Sequence, residues 1–223
     1  MIKLFILSLL IVIVAVDSLA QSPAPKPSPS PTAAASDQVV DLGLLNGTTY
    51  TNNFFGLSLS IPREWIVVSA QQHDKVITRS KELANKLDGE AKSEITESID
   101  RSTLLMSLTK LPEGEPNNAA FMLIAERLPS PTMKTGADVL RSLVNLSPGA
   151  NFKVEMPSGI WTENIGGAEF GVATIKATMP NGSFMQRVYI TTKKGYALEF
   201  FLTYLDAADL PVSDAIMRSV SVK

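Results

Sequence analysis

The chain has 223 residues and a formal net charge of −2 from 20 basic and 22 acidic residues, with one histidine and no cysteine. Without a thiol there are no disulfides, thiolate metal sites, cysteine nucleophiles or lipid-bearing N-terminal cysteine. Opposite charges are interspersed, so the sequence lacks both the basic stripe of a nucleic-acid binder and the basic helix of a membrane-surface binder.

The chain opens MIKLFILSLLIVIVAVDSLAQ. Lys3 precedes an apolar run from Leu4 to Val16 broken only by Ser8, and Ser18-Leu19-Ala20 places small residues where a signal peptidase reads. That run is shorter than the about 20 apolar residues a bilayer core needs. Cleavage between Ala20 and Gln21 is therefore expected, with export of the remainder to the periplasm or the medium; an uncleaved anchor is the alternative. Residues 21–37 include SPAPKPSPSPTAAAS. Alternating proline favours polyproline II, and so little apolar surface cannot offset ordering entropy, so a disordered tether is expected in preference to a proline-rich recognition motif.

One domain, residues 38–223, follows without a second linker or repeat. TTYTN and FGLSLSIP read as strands, the second with Leu57, Leu59 and Ile61 on one face and Ser58 and Ser60 on the other. Pro62 ends that ladder for want of an N–H, and WIVVSA resumes it. Residues 73–101 read as helix from Val76, Leu83, Leu87, Ala91, Ile95 and Ile99, with Glu82–Lys86 and Glu97–Arg101 as exposed i, i+4 pairs. Gly89 predicts a kink or a division into two helices. TLLMSLTKL and AAFMLIAERL are strands around the turn PEGEPNN, and TGADVLRSLVNL is a helix ended by Ser147-Pro148-Gly149.

FKVEM, AEFGVATIKATM, SFMQRVYITTK and YALEFFLTYL complete the strands. Pro180-Asn181-Gly182 is a strong hairpin signal, because Asn-Gly tolerates the positive φ of a type I′ turn, and Lys194-Gly195 is a weaker one. A last helix, DAADLPVSDAIMRSV, is expected to pack Leu210, Ala215, Ile216 and Val220 inward. The pattern predicts an α+β fold, an α/β/α sandwich with a central antiparallel sheet flanked by helices.

Candidate chemistry is sparse. His73, beside Asp74 at a helix start, has no nucleophile elbow to serve, so it reads as solvated surface and no catalytic residue is assigned. With one histidine and no cysteine, only a hard-cation carboxylate site is conceivable. Glu82, Glu90, Glu94 and Glu97 alternate with Lys81, Lys86 and Lys92 as on a solvated helix face, so no metal site is assigned. GGAEFG (residues 166–171) leads into a strand instead of a helix N-terminus, which makes it a turn and leaves no cofactor site. Trp65 and Trp161 read as core or rim residues, and adjacent Phe200 and Phe201 must point to opposite faces. The glycosylation-type triplets at Asn46, Asn145 and Asn181 read as chance.

YTNNFFGLSLSIPREWIV resembles the N-terminal signature of PsbP-like domains, the superfamily of the photosystem II extrinsic PsbP protein. Tyr50, Phe55, Gly56, Leu57, Ile61, Pro62 and Trp65 carry the resemblance. GYALEFFLTYLDAADLPVSDAIMRSVSV is similar to its C-terminal strand and helix, which close on Ser219-Val220. The resemblance implies the α/β/α sandwich and a binding or assembly module without catalysis. It implies no role in photosynthesis, since the plant proteins' docking cluster has no assignable counterpart. The expectation is an exported, non-enzymatic, monomeric accessory domain that engages a protein partner or small ligand through a sheet edge or helix-flanked groove. The alternatives are a small exported hydrolase using carboxylates and a structural or stress-related envelope protein. Acids converging in a cleft favour the hydrolase, and an exposed apolar patch favours the binding module.

Overall fold

Period-two alternation divides the strands into two antiparallel sheets. The computed structural model describes residues 40–69, 72, 77–78, 80–82, 85, 89–112, 115, 117–143, 153–179 and 182–223. The smaller sheet joins β1 (Leu44–Asn46), β2 (Thr49–Asn52), β3 (Leu57–Ser60) and the C-terminal β12 (Ser221–Val222), in that order. The larger contains β4 (Ile66–Val67), β5 (Ser102–Thr109), β6 (Ala120–Arg127), β7 (Lys153–Glu155), β8 (Ile160–Ile165), β9 (Ala168–Met179), β10 (Gly182–Lys193) and β11 (Tyr196–Tyr204). Its order is β4-β5-β6-β11-β10-β9-β7, with β8 also paired to β9. Among the described residues the strands are accompanied by helices α1 (Gly89–Arg101), α2 (Gly136–Leu143) and α3 (Leu210–Arg218), the last preceded by a short 3-10 turn.

The large sheet is buried on both faces, and alternation sorts its residues between two cores. Met122, Ile124 and Phe201 face Ile99 of α1 and Val139 and Leu140 of α2. Phe121, Leu123, Leu198, Phe200 and Leu202 face Tyr50, Leu57 and Leu59 of the small sheet and Ile216 and Met217 of α3. The α+β class and the antiparallel central sheet are as expected, but the layers differ from helices on both faces. Among the described residues α1, α2 and the helical Ile77 cover one face, while the small sheet and α3 together cover the other. The cause is the apolar side of β2 and β3: a half-buried sheet must bury that side against another layer.

Local chemistry fixes the connections. Gly166-Gly167 turns β8 into β9 with φ of 56° and 95°, and Lys194-Gly195 turns β10 into β11 with φ of 52° and 81°. Both are two-residue hairpins with positive φ at both positions, as type I′ requires. Met179 lies opposite Gly182, so the β9–β10 connection is also two residues long; those residues, 180 and 181, lie outside the described ones. Helix α2 is capped reciprocally: Asp138 N donates to Thr135 Oγ1 at 3.1 Å, and Thr135 N donates to Asp138 Oδ2 at 3.1 Å. The bonds from Thr135 hold the Asp138 carboxyl below the usual carboxylate range.

The C-terminus ties the sheets together. Beyond the pairing of β12 with β3, Val222 N donates to Gly166 O at 2.8 Å and Lys223 N to Gly56 O at 3.0 Å. Ser60 N donates to Ser219 Oγ at 2.8 Å. Val220 and Val222 are buried in the core between the sheets. Deleting residues 219–223 is therefore expected to cost about 3–6 kcal/mol from two valines at about 1.5–3 kcal/mol each, with the lost hydrogen bonds adding to this. Urea unfolding followed by tryptophan fluorescence measures this as a lower midpoint.

The predicted helix over 73–101 appears as α1 from Gly89, with residues 72, 77–78 and 80–82 also helical. Ile99 is buried as expected, whereas the Val76, Leu83, Leu87, Ala91 and Ile95 side chains lie outside the described ones. In α3, Met217 is buried and Ala215 exposed, contrary to the inward assignment of Ala215. The inward stripe runs through Val212, Ile216, Met217 and Val220 at helical spacing, and Ala215 falls beside it. The sequence reading omitted β1, β8 and β12. Two of these are two or three residues long, and β8 is a mostly exposed edge.

Candidate interaction surface

Two acidic side chains share one face of the large sheet, but inside the protein. Glu126 lies on β6 in phase with Met122 and Ile124. Glu199 lies on the neighbouring β11 two residues beyond Ala197, the residue opposite Glu126. Both are 0% exposed. Ser98 Oγ on α1 is 3.1 Å from both Glu126 oxygens, and Arg101 Nη2 is 3.5 Å away. Burial pushes the Glu126 carboxyl up to about 8, outweighing the attraction of Arg101 and the bond from Ser98. A hydrolase needs its acids where water and substrate reach them, and both of these are buried, Glu126 beneath α1. Sequence reading missed the pair, although an acid at the inward phase of an apolar strand was a visible signal.

A second polar cluster anchors α3. Tyr189 OH donates to Asp214 Oδ1 at 3.3 Å, and Arg187 Nη1 lies 3.5 Å from the same oxygen. Burial, reinforced by the Asp214 charge, drives the Tyr189 phenol well above its ordinary range, and burial also raises Tyr204. At the other end of the helix, Lys110 donates to the buried Asp209, a bond that raises the Lys110 pKa. These contacts join α3 to the strands beneath it.

The third feature lies at the edges of the sheets. The exposed large apolar residues among those described are Leu42 (58%), Leu44 (71%), Leu45 (43%), Ile66 (43%) and Val67 (46%). The three leucines form or adjoin β1, the edge of the small sheet, and the other two form β4, an edge of the large one. At β1 the chain is firmly held from beneath. Buried Tyr50 donates its hydroxyl to Leu42 O at 2.7 Å, and buried Asn52 donates Nδ2 to Asp41 O at 2.6 Å. Asp41 Oδ1 accepts from Gly43 N at 2.9 Å. Gly43 has φ of 78°, and a Cβ there would lie 2.6 Å from both Thr51 O and the Tyr50 hydroxyl, so only glycine allows this close approach.

Edge strands are normally blunted by charge, proline or a bulge. The stretch LGLLNGTT, residues 42–49, has neither charge nor proline, and β1 pairs with β2 in unbroken register. By contrast, the exposed Arg63 and Glu64 lie just before β4.

The remaining candidates disperse. Ala20, Gln21, His73, Asn145 and Asn181 lie outside the described residues, while Asn46 is exposed at the end of β1. Arg101 Nη1 pairs with Glu97 at 3.5 Å, as the spacing predicted. Trp65 is buried in the core between the sheets. Trp161 is half-buried and donates Nε1 to Glu163 at 2.6 Å. Phe200 and Phe201 enter opposite cores. Among the described residues no three His, Cys, Asp or Glu side chains gather to hold a metal, and no helix is long and apolar enough to cross a membrane.

No family model matches the chain, and no curated protein matches it. Among solved structures it is similar to cyanobacterial PsbP from Synechocystis, at 14% identity and a TM-score of 0.50, covering 85% of this chain and 98% of that one. It is also similar to LpqN, involved in cell envelope biogenesis of Mycobacterium tuberculosis, at 14% identity and a TM-score of 0.39, covering 75% of this chain and 83% of that one. A Bacteroides thetaiotaomicron protein aligns at 10% identity and a TM-score of 0.43, covering 80% of this chain and 49% of that one. The fold is PsbP-like.

Proposed function

We propose that the chain is an exported, non-enzymatic accessory domain of the cell envelope that engages a protein partner through the β1 edge. The observation that carries this reading is the run of exposed leucines on a firmly held, uncharged edge strand. Holding Leu42, Leu44 and Leu45 in water has no folding benefit, and a partner that covers them gains apolar burial at little ordering cost. Residues 21–37, freed by cleavage between Ala20 and Gln21, would form a semi-rigid tether that ends beside β1. The domain would work as a monomer in the periplasm or outside the cell. The sealed position of Glu126 and Glu199 weighs against the carboxylate hydrolase.

The test is a double charge substitution, Leu44→Lys with Leu45→Glu, in the full-length protein. Both side chains are exposed, so the unfolding midpoint should stay close to that of the native chain, within about 0.5 kcal/mol. Recovery of co-purifying envelope protein is expected to fall at least tenfold. Equal recovery by the variant would contradict a role for this edge.

A further inference from the structure

The exposed leucines identify a contact region but not a mode of contact, and three features of β1 narrow that mode. Leu44 and Leu45 are consecutive strand residues, so their side chains leave opposite faces of the sheet, and both are exposed. A partner resting on one face of the small sheet would cover only one of them. A partner lying alongside the edge reaches both. Next, β1 has a strand neighbour on one side only, so alternate backbone N–H and C=O groups point outward from the sheet. Finally, the hydrogen bonds from Tyr50 and Asn52 hold the backbone of 41–43 in place before any partner arrives.

Resting on the partner reading above, we propose that β1 is a strand-addition site, and that its occupant is a short extended apolar segment of another protein. Main-chain hydrogen bonds to the outer side of β1 would align this segment, and Leu44 and Leu45 would each pack against one of its side chains on opposite faces. The size of the patch argues against a second copy of this chain as the occupant. Edge-to-edge pairing of two three-residue strands falls far short of the about 1,000 Å² that a stable interface buries. A single extended peptide needs no such area, because its backbone bonds supply much of the affinity. The absence of charge from residues 42–49 selects an uncharged apolar segment over an acidic or basic one.

The test places a photoreactive side chain at Leu42, just outside β1, in the full-length chain within the cell that produces it. Hydrogen exchange is then compared between the cross-linked adduct and the free protein. The proposal expects an adduct with a different protein, in which the β1 amides that do not face β2 exchange at least tenfold more slowly. An adduct without that protection overturns strand addition but leaves the protein-partner reading intact. An adduct of twice the chain's own mass overturns the assignment of the occupant. Failure to form any protein adduct overturns both the strand-addition site and the reading on which it rests.

Discussion

Gly171→Ala is expected to destabilise the protein by about 3 kcal/mol or more, the upper end of what overpacking costs. Gly171 on β9 and Gly136 at the start of α2 meet backbone to backbone. A Cβ on Gly171 would lie 2.3 Å from Ala137 N and 2.4 Å from Gly136 C, and one on Gly136 would lie 1.7 Å from Ile190 O. These contacts are with backbone, so no side-chain rotation relieves them. Helix α2 would have to lift from the sheet, withdrawing Val139 and Leu140 from the core they share with Ile175 and Ile190. Gly159→Ala is the control. Gly159 has φ of 66° but nothing within 4 Å of its would-be Cβ, so only the left-handed penalty of about 1–2 kcal/mol applies. Urea midpoints compare the two, and equal losses would show that the α2–β9 contact does not limit the packing.

Glu126→Gln is expected to reverse its effect with pH. Burial pushes the folded carboxyl up to about 8 from its ordinary value of 4.5, so between these values the native state holds a proton that the unfolded chain has released. Stability from this group is fully present below about 4.5, declines as pH rises, and is lost above about 8. At about 1.4 kcal/mol per pH unit, the loss amounts to a few kcal/mol. Glutamine has no proton to lose and still accepts from Ser98, while Arg101 retains Glu97. The variant should therefore match the native chain near pH 5 and exceed it by about 2–4 kcal/mol near pH 9. Unfolding midpoints at the two pH values measure the crossover; parallel pH profiles would mean that Glu126 is already ionised in the folded protein.

Both effects come from packing in three dimensions, and they mark where sequence reading stops. The long strands were legible because period-two alternation and positive-φ turn residues are local: AEFGVATIKATM is β9 residue for residue, and Lys194-Gly195 turns as its chemistry requires. The opening alternation at Leu57, Leu59 and Ile61 correctly predicted a buried face. It could not say that the face covers the large sheet and thereby takes the place of a helical layer. That depends on β12 returning from the C-terminus to pair with β3, a contact between residues 163 positions apart at Ser58 and Ser221. Gly136 and Gly171 look like a helix start and a strand interior until α2 crosses β9. In the same way, Leu42, Leu44 and Leu45 carried no signal in the sequence, because only the strand order reveals β1 as an edge.

Photo-crosslinking from residue 44, compared with residue 176 in the producing cell, asks whether the β1 edge meets a protein partner. Lys176 is exposed on β9, in the large sheet, which does not contain β1. A discrete protein adduct is expected from position 44 and none from position 176. An adduct from 176 with none from 44 would contradict that expectation, and would move the partner from the edge of the small sheet to the large sheet.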